Sequence, residues 1–230
     1  MALARFVRSL PAPPVLVHGG GQAIARLQER LGITPRKVDG LRVTDAASLE
    51  IAQLVLCGGT NKAIVGALLD AGVDAIGIAG IDGGVLRCRK KEHPEVDLGL
   101  VGEVAEVRVA LLGRLAAAEL TVVLAPISLD TAGRPVNVNA DDAACAVAAA
   151  LGAERLDFVS NVPGVLYEGA PLARLTPTRA HDLIAAGVIA GGMVAKTHAA
   201  LKALEDGVGE ARVVDLDGLM NDGGTRFVGN

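Results

Sequence analysis

Val15-Leu16-Val17-His18-Gly19-Gly20-Gly21-Gln22 is followed at once by apolar residues at Ile24, Leu27 and Leu31. A β-branched run ending in histidine and three glycines, then apolar residues at helical spacing, reads as a strand, a loop and a helix. Glycine has no Cβ, so the loop N–H groups can approach an anion that a side chain would hold away. The helix start behind the loop adds unpaired N–H groups and the positive end of a dipole. Glycine-rich strand-to-helix turns also serve packing alone, so by itself this stretch is weak evidence of a ligand.

The same alternation continues outward from that point. Upstream, Leu3, Phe6, Val7 and Leu10 form one helical face interrupted by Arg5 and Arg8, unlike a signal peptide, and the helix stops at Pro11-Ala-Pro-Pro14. Downstream, helices are expected over 46–56, from Ile64 to Leu69, from Val109 to Ala118, over 142–151, from Pro177 and from Val194 to Leu204. Between them lie strands at 75–78, 122–125, 156–160 and 211–215, short β segments in 85–108, a hairpin near Asp130-Thr131-Ala132-Gly133, and a last strand near Thr225–Val228. Helices and strands joined by short connections predict an α/β protein, a three-layer α/β/α sandwich with a mainly parallel open sheet. No linker composition divides the 230 residues, so one domain is expected, with an N-terminal lobe to about 135 and a C-terminal lobe from about 136.

Composition narrows the function. The chain is 51% hydrophobic but only 2% aromatic, which suits a buried parallel sheet under Ala- and Leu-rich helices. A net charge of −4 with scattered basic residues offers no footprint for nucleic acid or an acidic membrane. No uninterrupted apolar run reaches the roughly 20 residues of a membrane helix. Cys57, Cys88 and Cys145 show no Cys-x-x-Cys spacing and fit a reducing, cytoplasmic setting.

Four polar-glycine clusters fall at element junctions: His18–Gly21, Gly40–Asp45, Asn137–Asp141 and Gly191–Lys196. In an open α/β sheet such junctions gather at the carboxyl ends of the strands, where ligands bind. Asn137, Asn139 and Asp141, at alternate positions, would share one side of an extended segment, with Asp141 also capping helix 142–151. Lys196 lies near a helix start, where a cation opposes the dipole, a conflict expected of a lysine reaching for phosphate. Arg42 has a fork suited to a carboxylate, though an ion pair with Asp39 or Asp45 would explain it as well. His18 reads as a hydrogen-bonded strand-end histidine. His93, His181 and His198 lack metal-ligand spacing, and no metal-binding residue is expected. A dinucleotide loop fails because Ile24 stands where the third small residue belongs.

Taken in order, Val17–Gly21, Gly40–Asp45, Gly77–Gly83, Asn137–Asp141, Ser160-Asn161-Val162-Pro163-Gly164-Val165, Gly192–Lys196 and Gly224-Thr225 resemble the amino acid kinase family from about Val15 onward. The resemblance implies that family's carbamate-kinase-like fold. It also implies phosphorylation of the side-chain carboxylate of N-acetyl-L-glutamate by MgATP, the second step of arginine synthesis. Gly19 and Gly20 would then donate N–H groups to the phosphoryl group. Arg42 and Asn137, with Asn139, would hold the acceptor, Lys196 would neutralise the nucleotide's phosphates, and Asp141 would orient the catalytic lysines. Ser160, Asn161, Val162, Gly164, Gly192 and Met193 would line the nucleotide. ATP and Mg²⁺ are the implied cofactors and a homodimer the implied assembly, since the helix that interlocks hexameric relatives is not in this sequence. Members of the family begin with a Lys-x-Gly-Gly strand ahead of the first helix, and Met1–Leu10 reads as that helix. The expected explanation is a start further upstream, the alternative a catalytically impaired, ligand-sensing relative. A sibling kinase acting on carrier-linked aminoadipate or glutamate is the nearest rival reading.

Overall fold

The computed structural model describes residues 2–38 and 40–229. The chain divides into two compact units, one spanning Leu3–Ala143 and the other beginning at Ala144.

The first unit runs α1 (Ala2–Ser9), β1 (Val15–Val17), α2 (Gly21–Arg30), β2 (Lys37–Val38), β3 (Leu41–Arg42), α3 (Ala46–Gln53), α4 (Asn61–Asp70), β4 (Ala75–Ala79), β5 (Leu86–Lys90), β6 (Val101–Val107), α5 (Val109–Ala117), β7 (Thr121–Ala125), β8 (Ile127–Asp130) and β9 (Pro135–Val138). Its centre is a parallel sheet in the order β1-β7-β4, with Val15 opposite Val122 and Ile76 opposite Val122 from the other side. All five residues of β7 are buried, as a continuous apolar run requires of a strand covered on both faces. Two apolar clusters meet the sheet: Ala4, Val7, Leu68 and Val73 with Val123, and Ile24, Leu49, Ile51, Ala52 and Leu56 with Ala79 and Ala125. Strands β5, β6, β9 and β8 close into a small barrel, and β2 and β3 form a two-stranded hairpin.

The two helices expected between 46 and 69 are one. A π-helical stretch, Leu54–Thr60, joins α3 to α4 around Gly58 and Gly59. Wider π turns of this kind cluster at functional sites. The joined helix, Ala46–Asp70, is 25 residues long and apolar enough on average to cross a membrane by length and composition. Asn61 ties it to the sheet instead, its amide donating to the Val123 carbonyl of β7 at 2.9 Å.

Helix α6 (Ala140–Leu151) leads into the second unit. There follow β10 (Arg155–Val159), β11 (Leu166–Tyr167), β12 (Ala170–Pro171), β13 (Arg174–Leu175), α7 (Pro177–Ala185), α8 (Gly192–Glu205), β14 (Glu210–Val214), α9 (Leu216–Asn221) and β15 (Thr225–Phe227). The sheet order is β10-β14-β15-β13, parallel except for the β14–β15 pair. Thr176 caps α7 and Pro177 opens it, as expected from the dipeptide. Phe158, Ala211, Val213, Phe227 and Leu175 form a core with Cys145, Ala180, Ala199, Ala200 and Ala203. Alanines let these helices lie close to the sheet, which is how a chain with so few aromatics fills a core. Asp157, Arg212 and Arg226 are paired in register across three strands. Arg212 is fully buried and donates to Asp157 at 2.7 Å and to Asp222 at 3.1 Å, so its charge is compensated.

Candidate active site

In the first unit the site begins at the end of β1. His18 donates its backbone N–H to the Leu124 carbonyl at 3.2 Å, one step beyond the ladder, and the chain then turns through Gly19 and Gly20 into α2. The Asn61 amide nitrogen lies 3.2 Å from His18 Nε2. An amide NH₂ can only donate, so Nε2 accepts and the ring proton sits on Nδ1. Nδ1 is 3.0 Å from the Gly19 carbonyl and donates to it. A trans peptide sets its C=O and N–H on opposite sides, so this bond turns the Gly20 N–H away from the ring. Burial holds the His18 pKa below its ordinary value of 6.5, which favours the neutral ring, and the bonds to Asn61 and Gly19 select the tautomer. His18 is therefore the strand-end histidine the sequence suggested, and it orders the glycine loop.

Two glycines are required by close approach. A Cβ on Gly20 would lie 2.7 Å from Leu56 Cδ2, and one on Gly77 would overlap Asn61 Oδ1. Gly77 is thus what lets Asn61 reach His18 and the carbonyls of the sheet.

Arg42 closes the hairpin opposite Lys37 and is only 8% exposed. Its Nη1 donates to Gln28 Oε1 in a short hydrogen bond and its Nη2 to the Gly21 carbonyl at 3.1 Å. Of the two ion pairs considered for it, Asp45 is engaged elsewhere, accepting the Ser48 N–H at 2.7 Å as the cap of α3. The other, with Asp39, lies outside the described residues. Desolvation lowers the Arg42 pKa from its usual value, yet an arginine stays charged throughout the physiological range. Thr44, fully buried, donates to the Arg42 carbonyl at 2.9 Å and lies 3.4 Å from Asn137 Nδ2.

The Asn137–Asp141 cluster needs a correction. Helix α6 starts at Ala140, two residues earlier than expected, and Asn139 is its cap: Oδ1 accepts the N–H groups of Asp141 at 2.8 Å and Asp142 at 3.0 Å. Extended alternation therefore ends at Asn139, and Asp141 stands inside the first turn instead of capping it. The physical reason is that one amide oxygen already satisfies two of the orphan helix donors. Asp142, beside it, pairs with Lys91 at 2.5 Å.

Gly19, Gly20, Arg42, Asn137 and Asn139 all line one pocket of about 180 Å³. Lys37 lines it too, and no described lining residue is acidic. A pocket with glycine N–H groups, two cations and amide side chains is built for a small anion with polar substituents. Asp141 is not among its lining residues.

The second unit carries the remaining candidates. Ser160 follows β10 and donates its N–H to the Val214 carbonyl at 2.8 Å. Asn161 is exposed and Val162 half-buried in the loop that follows. Gly164 is buried there against Thr225, where a Cβ would lie 2.6 Å from the threonine oxygen. That oxygen accepts the Val165 N–H at 2.9 Å. Gly192 opens α8, Met193 packs on the core, and Lys196 is the fifth residue of the helix, two further in than expected from a start at Val194. Its Nζ lies 5.9 Å from the Phe158 ring centroid, over the carboxyl-end half of β10.

Lys37, Gln28 and Asn61 were not singled out in the sequence. The first could have been found from hairpin register, since Lys37 faces Arg42 across Gly40. Gln28 could have been found as a polar residue at core spacing from Ile24.

Fold and pocket together define an α/β protein with a glycine- and amide-lined cationic pocket at the carboxyl end of a parallel strand. The amino acid kinase family model matches residues 1–215. An acetylglutamate kinase of Roseiflexus sp. (strain RS-1) is 52% identical over 223 residues, covering 97% of this chain and 85% of the relative. The crystal structure of N-acetylglutamate synthase from Neisseria gonorrhoeae, complexed with coenzyme A and N-acetyl-glutamate, superposes with a TM-score of 0.85 at 26% identity. The match covers 99% of this chain and 55% of that one. Carbamate kinase from Giardia lamblia bound to AMP-PNP gives a TM-score of 0.67 at 15% identity over 100% of this chain and 88% of that one, a likeness of fold alone. The chain belongs to the amino acid kinase family.

Proposed function

We propose that this protein transfers the γ-phosphoryl group of ATP to the side-chain carboxylate of N-acetyl-L-glutamate, giving N-acetyl-L-glutamyl 5-phosphate in arginine biosynthesis. The observation that carries the reading is the gathering of all five expected acceptor residues around one cationic pocket. The identity of about half the chain to acetylglutamate kinases supports it.

In this reading Arg42 and Asn137 take the α-carboxylate and Asn139 borders the acceptor. Gly19 and Gly20 present N–H groups to the phosphoryl group. A glutamate side chain is already ionised at neutral pH, so no general base is needed. Rate enhancement then comes from alignment and from fixed dipoles meeting the charge that spreads over the phosphoryl oxygens. His18 contributes by fixing the Gly19–Gly20 peptide before substrate arrives. Lys196 is assigned to the nucleotide's phosphates, with Ser160, Asn161, Val162, Gly164, Gly192 and Met193 beside the nucleotide, and Asp141 is assigned to orient lysine. ATP enters as its magnesium complex. In this reading the nucleotide's phosphates would themselves carry most of the magnesium's coordination, as is usual for Mg²⁺ at nucleotide sites.

A homodimer belongs to the same reading: Leu54 is 61% and Leu69 50% exposed on the long helix, where a second copy would cover them. Sedimentation at two concentrations tests it. Three free thiols suit a reducing cytosol. Hydroxylamine trapping of the acyl phosphate from MgATP and N-acetyl-L-glutamate tests the activity, and Lys196→Ala or Asp141→Ala with undiminished turnover would sink the assignment of those two residues.

A further inference from the structure

The side chain of Gln28 is 1% exposed on a helix face it shares with Ile24. An apolar residue would fill that place without the cost of burying an amide. Both ends of the amide are used: Oε1 accepts from Arg42 Nη1, and Nε2 donates to Ser48 Oγ at 3.1 Å. Ser48 is in turn held through its N–H by the Asp45 cap of α3. Gln28 thus links the first turn of α3 to the one arginine of the pocket, while the Gly21 carbonyl holds the other arm of the fork. Two of the five guanidinium N–H groups are fixed in this way, which sets the plane of the rest.

We propose that Gln28 is a positioning residue for the acceptor: it locks the Arg42 guanidinium plane toward the pocket while adding no charge of its own, so the arginine's full charge is left for a carboxylate ligand. A glutamate at the same place would accept from Arg42 equally well and compete with that ligand. A leucine would leave the guanidinium held by the Gly21 carbonyl alone, able to pivot about that one bond. The inference rests on the acceptor role given to Arg42 above.

The test is calorimetric titration of the full chain and its Gln28→Leu and Gln28→Glu variants with N-acetyl-L-glutamate and, separately, with MgATP. The expected result is an N-acetyl-L-glutamate Kd raised about tenfold or more in each variant, as for loss of an oriented charged hydrogen bond, with the MgATP Kd unmoved. An equal loss for both ligands would mark Gln28 as a packing residue and overturn the proposal. So would an unchanged N-acetyl-L-glutamate Kd in both variants, with the acceptor reading left standing. Absence of N-acetyl-L-glutamate binding to the unaltered chain would overturn the acceptor reading and this proposal together. If Gln28→Leu does not fold, Gln28→Glu, which keeps partners for Arg42 and Ser48, decides alone.

Discussion

Asn61→Ala is the substitution that most directly joins stability to the phosphoryl loop. Asn61 is 1% exposed, and its amide nitrogen serves the Val123 carbonyl at 2.9 Å and His18 Nε2 at 3.2 Å. Alanine leaves the part-buried His18 Nε2 without its donor and removes a second donor from the Val123 carbonyl, which keeps its place in the β4–β7 ladder. One orphaned acceptor costs about 1–3 kcal/mol, so a net loss of about 1–3 kcal/mol is expected. For a chain of this length 1 kcal/mol moves Tm by roughly 2–4 °C, which makes the expected drop about 2–12 °C. Function should fall further than stability accounts for. His18 loses the donor that fixes its tautomer, and the Gly19 carbonyl loses the ring N–H that orients the Gly20 amide. Differential scanning fluorimetry, together with kcat measured well below the variant's Tm, separates the two effects. A variant whose Tm falls while kcat is unchanged would refute the link from Asn61 through His18 to the loop. An unchanged Tm would refute the hydrogen-bond accounting itself.

Arg42→Lys removes the fork and its two structural bonds, and the KM for N-acetyl-L-glutamate should rise about tenfold to a hundredfold with the KM for ATP steady in initial-rate assays. Lys196→Ala should lower kcat/KM for MgATP about a hundredfold or more without moving the N-acetyl-L-glutamate Kd, read by kinetics and calorimetry together. Because burial lowers the folded pKa of His18 below 6.5, the unfolded chain takes up that proton first as the pH falls. Stability should therefore be flat above about pH 7 and decline from 6.5 toward the folded pKa, and His18→Gln should lack that part of the decline in melting curves taken between about pH 7.5 and pH 5.

The strand–glycine–helix start, the α/β alternation and most element positions could be read directly, because apolar spacing is a local signal and the glycines mark the junctions. What could not be read depended on partners distant in sequence. Asp141 reads as the cap of α6 from the sequence, and only the actual start at Ala140 shows that Asn139 takes that place. The joined helix over 46–70 was missed because Gly58-Gly59 reads as a break, whereas a π turn absorbs it. Arg42 was found through its neighbours, but its partner Gln28, 14 residues away, has no motif of its own and is visible only as a polar residue at core spacing. The antiparallel pairing of β14 and β15 likewise depends on a return of the chain after α9 that periodicity does not encode.

The most direct test of the central claim is hydroxylamine trapping with MgATP and N-acetyl-L-glutamate, run beside free L-glutamate and ATP alone. The account predicts acetylglutamyl hydroxamate from the acetylated acceptor, with little from free glutamate, whose α-ammonium would sit beside Arg42 and Lys37. Hydroxamate formed equally from both acceptors, or none above the ATP-only control, would contradict it.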